Sequence, residues 1–160
     1  MDKDKLISQI ISLLEIKVET LTKAAITAHA DATGEESKSE NKYDTRGLEA
    51  SYLAEAQANM VAEIKEDISV YKKLVLQNFA QDSTIRLTAF IELESDNNES
   101  HFYFIGPNNG GLQLEYEGNE VMLITPSSPL GGKLIGLNIG DIVEIKSNNT
   151  NKECEIINIC

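Results

Sequence analysis

The chain has 160 residues, of which 41% are hydrophobic, and this is enough apolar material to bury a core. Its formal net charge is -12, with 26 acidic against 14 basic side chains, which disfavours strong binding to bare nucleic acid or to an anionic membrane surface. No apolar run approaches the length that spans a membrane, and the acidic first residues do not have the character of a secretory signal.

The first predicted element is a long helix from about Asp2 to about Thr33. Asp2 and Asp4 suit the positive N-terminal end of a helix, and Gly34 follows as a stop signal. Its apolar residues step by four and three, which is the spacing of a coiled-coil seam. The seam consists of Ile7, Ile11, Leu14, Val18, Leu21, Ala25, Ala28 and Ala32.

A second helix is predicted to begin between Ser37 and Asn41 and to continue to about Asn78. Opposed positions of the two seams, such as Ile11 and Ile68, have residue numbers that sum to 79, which only an antiparallel hairpin allows. Small residues near the turn predict a narrow far end, and an arm of about 30 residues is roughly 45 Å long. The second seam consists of Tyr43, Gly47, Ala50, Ala54, Gln57, Val61, Ile64, Ile68, Tyr71 and Val75.

The turn of this hairpin falls near Ser39, so acidic side chains gather at its far end. They are Asp31, Glu35, Glu36, Glu40 and Asp44. Carboxylates are the ligands that Mg²⁺ takes in proteins, so this tip could hold a metal ion. Ser37 with Glu40, and Thr33 with Glu36, also have the spacing of a capping box. Spacing alone favours capping, and both interpretations stay open.

Beyond the second helix the apolar period changes from heptad to two, which indicates strands. Strands are predicted over residues 85–93, 101–105, 112–116, 121–124, 142–146 and 154–159, with a short helix over 129–136. The chain therefore divides into a helical arm, residues 1–79, with an acidic tip near 35–44, and a β domain, residues 80–160.

Two residue types that often form sites give no site in this sequence. Cys154 and Cys160 lie six residues apart on one predicted strand, too far for a disulfide, so we expect reduced thiols in a cytoplasmic protein. His29 and His101 fall in different parts of the predicted fold, which excludes a zinc site or a catalytic triad built on both. We expect both histidines to be solvated.

The motif Ser128-Pro129-Leu130-Gly131, followed by Leu134-Ile135-Gly136 and Gly140-Asp141, resembles the C-terminal domain of the bacterial Gre transcript-cleavage factors. Ser39-Glu40-Asn41 and Tyr43-Asp44 resemble the elements at the tip of the Gre coiled coil, in the same order along the chain. The resemblance implies a divergent Gre-type factor. It implies an α+β fold, in which an N-terminal antiparallel coiled-coil hairpin precedes a C-terminal FKBP-like antiparallel β domain with a short helix.

The resemblance also implies a function and a partner. The chain would be a transcription elongation factor that binds RNA polymerase, with Ser128, Pro129 and Leu130 docking the β domain at the rim of the secondary channel. The arm would enter the channel and stimulate cleavage of backtracked RNA by the polymerase, so the chain would not itself be an enzyme. Mg²⁺ would be shared with the polymerase active centre and not bound stably by the factor. A monomer in the bacterial cytoplasm, which contacts nucleic acid only within that complex, is expected.

At the tip, the resemblance gives two alignments. Aligned on Ser39-Glu40-Asn41, Glu40 is the metal-facing acid, and Ser37 stands where the family has an Asp. Aligned on Tyr43-Asp44, Glu36 takes the place of that Asp and Ser39 takes the place of the family's Glu. Glu40 is the first metal candidate and Glu36 the second. The other tip residues are Glu35, Ser37, Ser39, Asn41 and Asp44.

Three alternatives remain. A Gre-like factor could bind the channel and modulate or inhibit polymerase without stimulating cleavage, using Glu35 and Glu36 differently. An FKBP-like chaperone or prolyl isomerase is weakened by the absence of Trp and of a convincing aromatic pocket in residues 80–160. The third alternative is a coiled-coil interaction protein whose acids are simply solvated.

Overall fold

The computed structural model describes residues 2–33, 46–80, 82–147 and 150–160. Two long helices precede a β-rich region that contains one short helix, as the sequence predicts. In chain order the elements are α1 (Lys3–Thr33), α2 (Arg46–Lys72), β1 (Phe90–Ser95), β2 (Ser100–Ile105), β3 (Gln113–Tyr116), β4 (Asn119–Ile124), α3 (Pro129–Leu134), β5 (Ile142–Ser147) and β6 (Thr150–Ile159). They form two compact units, Ser8–Lys73 and Leu74–Cys160 together with Met1–Ile7.

The helical unit is an antiparallel hairpin. Lys72 Nζ, at the end of α2, lies 3.3 Å from Glu15 Oε1, so the end of α2 lies beside the first half of α1, as an antiparallel hairpin requires. The described residues of the predicted seams are buried or half-buried from Ile7 to Ala28 and from Gly47 to Tyr71, which confirms both heptad patterns. The constant residue sum of 79 stays a prediction.

Helix α2 ends at Lys72 and not near Asn78 as predicted. Beyond it the backbone forms hydrogen bonds with the unit that contains the sheet: the Gln77 N–H donates to Thr88 Oγ1 at 3.0 Å, and Lys3 Nζ donates to the Gln77 carbonyl at 2.7 Å. Val75, predicted to lie in the seam, is 79% exposed. The unit with the sheet includes Leu74–Cys160, and the predicted division into an arm, residues 1–79, and a β domain, residues 80–160, stays a prediction.

The sheet has six strands in the order β3-β4-β2-β1-β6-β5. Every neighbouring pair is antiparallel except β2 and β4, which are parallel, with Phe102 opposite Val121 and Ile105 opposite Ile124. The prediction of an antiparallel β domain with a short helix is confirmed, and the sheet contains one parallel pair that the prediction did not specify. The reason is topological: β3 occupies the outer edge, and the strand that returns from it lies beside β2 in the same direction.

The predicted strand over 85–93 is wrong in its first half, because β1 begins at Phe90. Ile85 and Ala89 are fully buried, as the alternation of apolar residues indicated, but their backbone belongs to a loop. The Ile85 N–H donates to the Leu137 carbonyl at 2.8 Å, and Thr88 has a φ of 70°, which a strand cannot accommodate. The other five predicted strands and the short helix overlap the observed elements.

The core lies between one face of the sheet and α3. Its buried members are Ile85, Ala89, Ile91, Leu93, Tyr103, Ile105, Ile124, Leu134, Val143, Ile145, Cys154, Ile156 and Ile159. The alternate residues on the opposite face of β1, β2 and β4 include Phe90, Phe104 and Leu123, which are also buried. Both faces of the central strands therefore carry apolar side chains, which explains their nearly continuous hydrophobic sequence.

Candidate functional site

The candidate site is the start of α3, which is built by a capped proline turn. Ser128 is the N-cap, with φ -71° and ψ 153°, and its Oγ accepts a hydrogen bond from the Gly131 N–H at 3.0 Å. The same hydroxyl donates to the Thr125 carbonyl at 2.7 Å. Pro129 occupies the first turn, where a missing N–H costs nothing and a fixed φ suits the helix. Sequence alone therefore dictates a helix start here.

Gly131 is required at its position by close backbone packing. A Cβ at this residue would lie 1.9 Å from the Thr125 carbonyl oxygen, far inside van der Waals contact. The turn before α3 and the helix itself therefore approach each other as closely as a glycine permits. This places the first turn of α3 rigidly against the end of β4.

The three predicted docking residues have different surroundings. Leu130 is half-buried and packs against the core, close in sequence to the fully buried Leu134. The Ser128 hydroxyl is occupied in capping, whereas Pro129 is exposed. A docking role for Ser128, Pro129 and Leu130 stays a prediction, and only Pro129 offers its side chain freely to a partner. The other two residues also serve the local fold.

The loop after α3 brings further apolar side chains to the surface. Asp141 Oδ2 accepts a hydrogen bond from the Asn138 N–H at 2.7 Å, and Gly140 has a φ of 90°, so Gly140-Asp141 forms the turn that enters β5. Within this segment Ile135 and Ile139 are each 38% exposed. We call the exposed side chains of Pro129, Ile135 and Ile139 the α3 surface.

The predicted tip residues Glu35, Glu36, Ser37, Ser39, Glu40, Asn41 and Asp44 lie outside the described residues. The metal role of Glu40 or Glu36 therefore stays a prediction. Across residues 2–33, 46–80, 82–147 and 150–160, no group of three or more His, Cys, Asp or Glu side chains is arranged to hold a metal ion.

His101 is not solvated as expected. It is half-buried on β2 opposite Leu93, and its Nε2 is buried without a hydrogen-bond partner. The expectation was wrong because the register of β2 turns this side chain to the core face, which the local sequence does not reveal. His29 is exposed. Cys154 and Cys160 are not in a disulfide, and burial raises the pKa of both thiols, so they stay protonated near neutral pH.

A cluster that the sequence analysis missed fixes the connector after α2. The Phe79 ring contacts two cations, with Lys3 Nζ 4.4 Å and Arg86 Cζ 5.0 Å from its centroid. Burial lowers the pKa of Lys3, although Coulombic attraction to Cys160 acts in the opposite direction. Lys3 is far from Phe79 and Arg86 in sequence, and the three residues share no periodic pattern, so no sequence signal could have joined them.

Comparison with known proteins identifies the domain that carries this site. Residues 80–160, just over half of the chain, match the family described as "Transcription elongation factor, GreA/GreB, C-term". The chain belongs to the GreA/GreB family of transcription elongation factors. The family resemblance of the α3 motifs is thereby confirmed. No curated protein matches the sequence.

Solved structures similar to this chain include two Gfh1 proteins. GreA factor homolog 1 of Thermus thermophilus is 21% identical, with a TM-score of 0.42 and coverage of 94% of each chain. Gfh1 of Thermus aquaticus is 22% identical, with a TM-score of 0.41 and coverage of 97% of this chain and 92% of that one. A GreA/GreB factor from Nitrosomonas europaea is 12% identical, with a TM-score of 0.39 and coverage of 65% of this chain and 89% of that one. No helix in the described part of the chain is long and apolar enough to cross a membrane.

Proposed function

We propose that this chain binds RNA polymerase and places the far end of its helical hairpin in the secondary channel, where it stimulates cleavage of backtracked RNA. The observation that carries the proposal is the family membership of residues 80–160, together with the family motifs on α3 and its loop. The polymerase would perform the hydrolysis. The factor would contribute side chains and no complete catalytic site of its own.

Docking would use the α3 surface. Pro129, Ile135 and Ile139 are exposed apolar side chains on a short helix and loop whose backbone is held by capping, by Gly131 and by the Asn138–Asp141 turn. A rigid element that presents apolar side chains loses little conformational entropy when it binds. This supports the α3 surface as the contact with polymerase.

The chemical contribution would come from the tip acids. A carboxylate such as Glu40, with Glu36 as the second candidate, would help to hold an Mg²⁺ ion shared with the polymerase. Bound Mg²⁺ activates water and stabilises the charge that develops during attack on a phosphodiester. The small residues Gly47, Ala50 and Ala54 on α2 would keep the arm narrow enough to reach a confined site.

A second candidate is a channel-binding modulator that does not stimulate cleavage. The observation that favours it is Ser37, which stands where the family has an Asp in one of the two alignments. Serine carries no negative charge, so the pair of acids that would capture the metal ion would be incomplete. The two candidates share the docking step and differ only at the tip.

The docking step is tested by charge substitutions on the α3 surface. We expect Pro129→Asp combined with Ile139→Asp to weaken polymerase binding by about tenfold or more, at least 1.4 kcal/mol, with an unchanged circular dichroism spectrum. Val75→Asp is the matched control, because Val75 is an exposed apolar residue outside this surface. Leu130 is left intact because it packs on the core. Equal affinities for wild type and double variant would remove the α3 surface from docking.

The chemical step is tested with Glu40→Gln, which keeps a side chain competent for capping and removes the negative charge. If the carboxylate helps to hold Mg²⁺, cleavage stimulation should fall by about tenfold or more with polymerase binding preserved, and excess Mg²⁺ should partly restore it. Wild-type protein that binds polymerase but stimulates no cleavage at any Mg²⁺ concentration would favour the modulator. In that case Ser37→Asp is the variant expected to gain stimulation.

A further inference from the structure

The strand β5 forms an outer edge of the six-stranded sheet. At its start the Ile156 N–H of β6 donates to the Asp141 carbonyl at 2.9 Å, so Asp141 faces β6. Alternate residues of an antiparallel strand turn their N–H and C=O groups to opposite sides. The backbone N–H and C=O groups of Val143 therefore point toward β6, whereas those of Ile142 and Glu144 point away from the sheet. This edge offers a row of hydrogen-bonding groups to an additional strand.

Lys133 confirms this orientation and covers one of the outward groups. Its Nζ donates to the Glu144 backbone carbonyl at 3.0 Å and lies 4.0 Å from Glu144 Oε2. The Lys133 side chain is 53% exposed, so solvent competes with both contacts and a partner can displace them cheaply.

The outer face beside this edge combines one apolar side chain with an excess of carboxylates, of which, in the described part of the chain, only Glu144 lies near a cation, the exposed Lys133. Ile142 is 67% exposed and lies opposite Glu155 of β6. Glu144 lies directly opposite Glu153, and Glu94 of β1 lies directly opposite Glu155. Like charges placed opposite each other on neighbouring strands destabilise a sheet. Cationic side chains supplied by a partner would remove that repulsion.

We propose that the open edge of β5 binds an extended segment of a partner protein in which basic and apolar side chains alternate. The segment would add a seventh strand to the sheet. Its basic side chains would lie over Glu144 and Glu153, and its apolar side chains would lie on the other face, beside Val143 and Ile145 of the core. Electrostatic complementarity would steer the encounter and fix the register.

A second copy of this chain is a poorer occupant of the same edge. Antiparallel pairing of β5 with its own copy around Glu144 would bring the two Glu144 carboxylates opposite each other, and each copy carries a net charge of -12. The inference does not rest on the proposed function, because neither the α3 surface nor the tip of the arm takes part in it.

Amide hydrogen exchange of the full chain, followed by NMR, tests the added strand. The probe is an acetylated, amidated nine-residue peptide of alternating Arg and Val. At saturation we expect the exchange rates of the Ile142 and Glu144 amides to fall to about a tenth of their free values or lower. The exchange rate of the Val143 amide, which already bonds to β6, should stay unchanged. No slowing at Ile142 and Glu144 at about 1 mM peptide, or equal slowing at Val143, would overturn the proposal.

The charge requirement is tested with a peptide in which citrulline replaces Arg, since citrulline keeps the shape and hydrogen-bonding capacity without the charge. We expect the citrulline peptide to bind about tenfold more weakly at low salt. Glu144→Lys should weaken binding of the Arg peptide to a similar extent, and Glu120→Lys on β4 is the matched control for a distant exposed glutamate. Equal binding of the two peptides, or of Glu144→Lys and wild type, would contradict the proposal.

The displacement of Lys133 is tested with Lys133→Met, which keeps the aliphatic stem and frees the Glu144 carbonyl. We expect the Arg peptide to bind about 2- to 10-fold more tightly to this variant, which is the effect of one net hydrogen bond and of one fewer competing cation. Unchanged or weaker binding would show that the peptide does not take the place of Lys133 on this carbonyl.

Discussion

The sheet unit and the helical hairpin bury their apolar residues to different extents. In the sheet unit Ile91, Leu93 and Ile156 are completely inaccessible to solvent. In the hairpin, the seam residues from Val18 to Ala25 are only half-buried. A sheet covered by other elements closes its core, whereas each of two helices offers only a narrow stripe to the other. Two helices can therefore form a long arm, but most of its stability comes from the base, where large side chains pack against each other.

The largest effect is expected in the sheet unit. Ile91→Ala removes three carbon atoms from a fully buried site among strands that cannot collapse around the cavity, so the free energy of unfolding should fall by about 3–5 kcal/mol. Denaturant unfolding followed by tyrosine fluorescence measures it. A cost below that of the corresponding change in the hairpin would break the comparison between the two units.

The corresponding change in the hairpin is Ile64→Ala. Ile64 is 5% exposed on α2, among the bulky seam residues near the base, and its truncation should cost about 2–4 kcal/mol. Far-ultraviolet circular dichroism during urea unfolding reports on the two long helices. A loss of less than about 1 kcal/mol would show that the base is packed too loosely to stabilise the arm.

A smaller effect is expected where the seam carries small residues. Ala28 is 6% exposed, so Ala28→Leu introduces a bulky side chain between closely packed helices and should cost about 1–3 kcal/mol through overpacking. The exposed neighbour Ile26, changed to Leu, is the matched control and should be nearly neutral. Thermal unfolding of both variants measures the difference. A nearly neutral Ala28→Leu would show that the helices are not closely packed at this position.

The smallest effect is expected at an exposed ion pair of the sheet unit. Lys152 Nζ lies 2.6 Å from Glu99 Oε2, and its hydrogen bond and positive charge lower the pKa of Glu99. A carboxyl whose folded pKa is depressed stabilises the fold above its unfolded pKa, and this contribution is lost as pH falls through the folded pKa. Lys152→Met should return the Glu99 pKa toward its ordinary value. A carboxyl carbon NMR titration that gives identical values for variant and wild type would contradict the pairing.

Local patterns were sufficient wherever one physical cause acts on neighbouring residues. The heptad period located the seams of α1 and α2 because each helix buries a single stripe. The Ser128-Pro129 sequence located the start of α3 because capping and the fixed φ of proline act within four residues. All six strands overlap their predicted ranges, β1 only in its first four residues, because alternate burial imposes a period of two.

The predictions were wrong where distant residues compete for the same backbone. Helix α2 stops at Lys72 because Thr88 and Lys3 bind the connector after it. The residues before Phe90 alternate between apolar and polar in sequence like a strand, yet Ile85 forms its backbone hydrogen bonds with the loop residues Gly136 and Leu137. The orientation of His101 depended on strand register, which no single segment contains. The docking candidates turned out to be partly structural, because a capping serine and a core leucine satisfy local and tertiary needs at once.

The sequence by itself determined the types and approximate positions of nearly all described elements, the seams of the hairpin and the resemblance to the Gre factors. These follow from periodicity, capping and turn chemistry, which act over a few residues. Only the tertiary structure decided the parallel pairing of β2 with β4, the cation pair around Phe79 and the outward-facing edge of β5 latched by Lys133. Each of these joins separate elements of the chain, and the choice among possible partners is made by the free energy of the whole packed unit and not by any one segment.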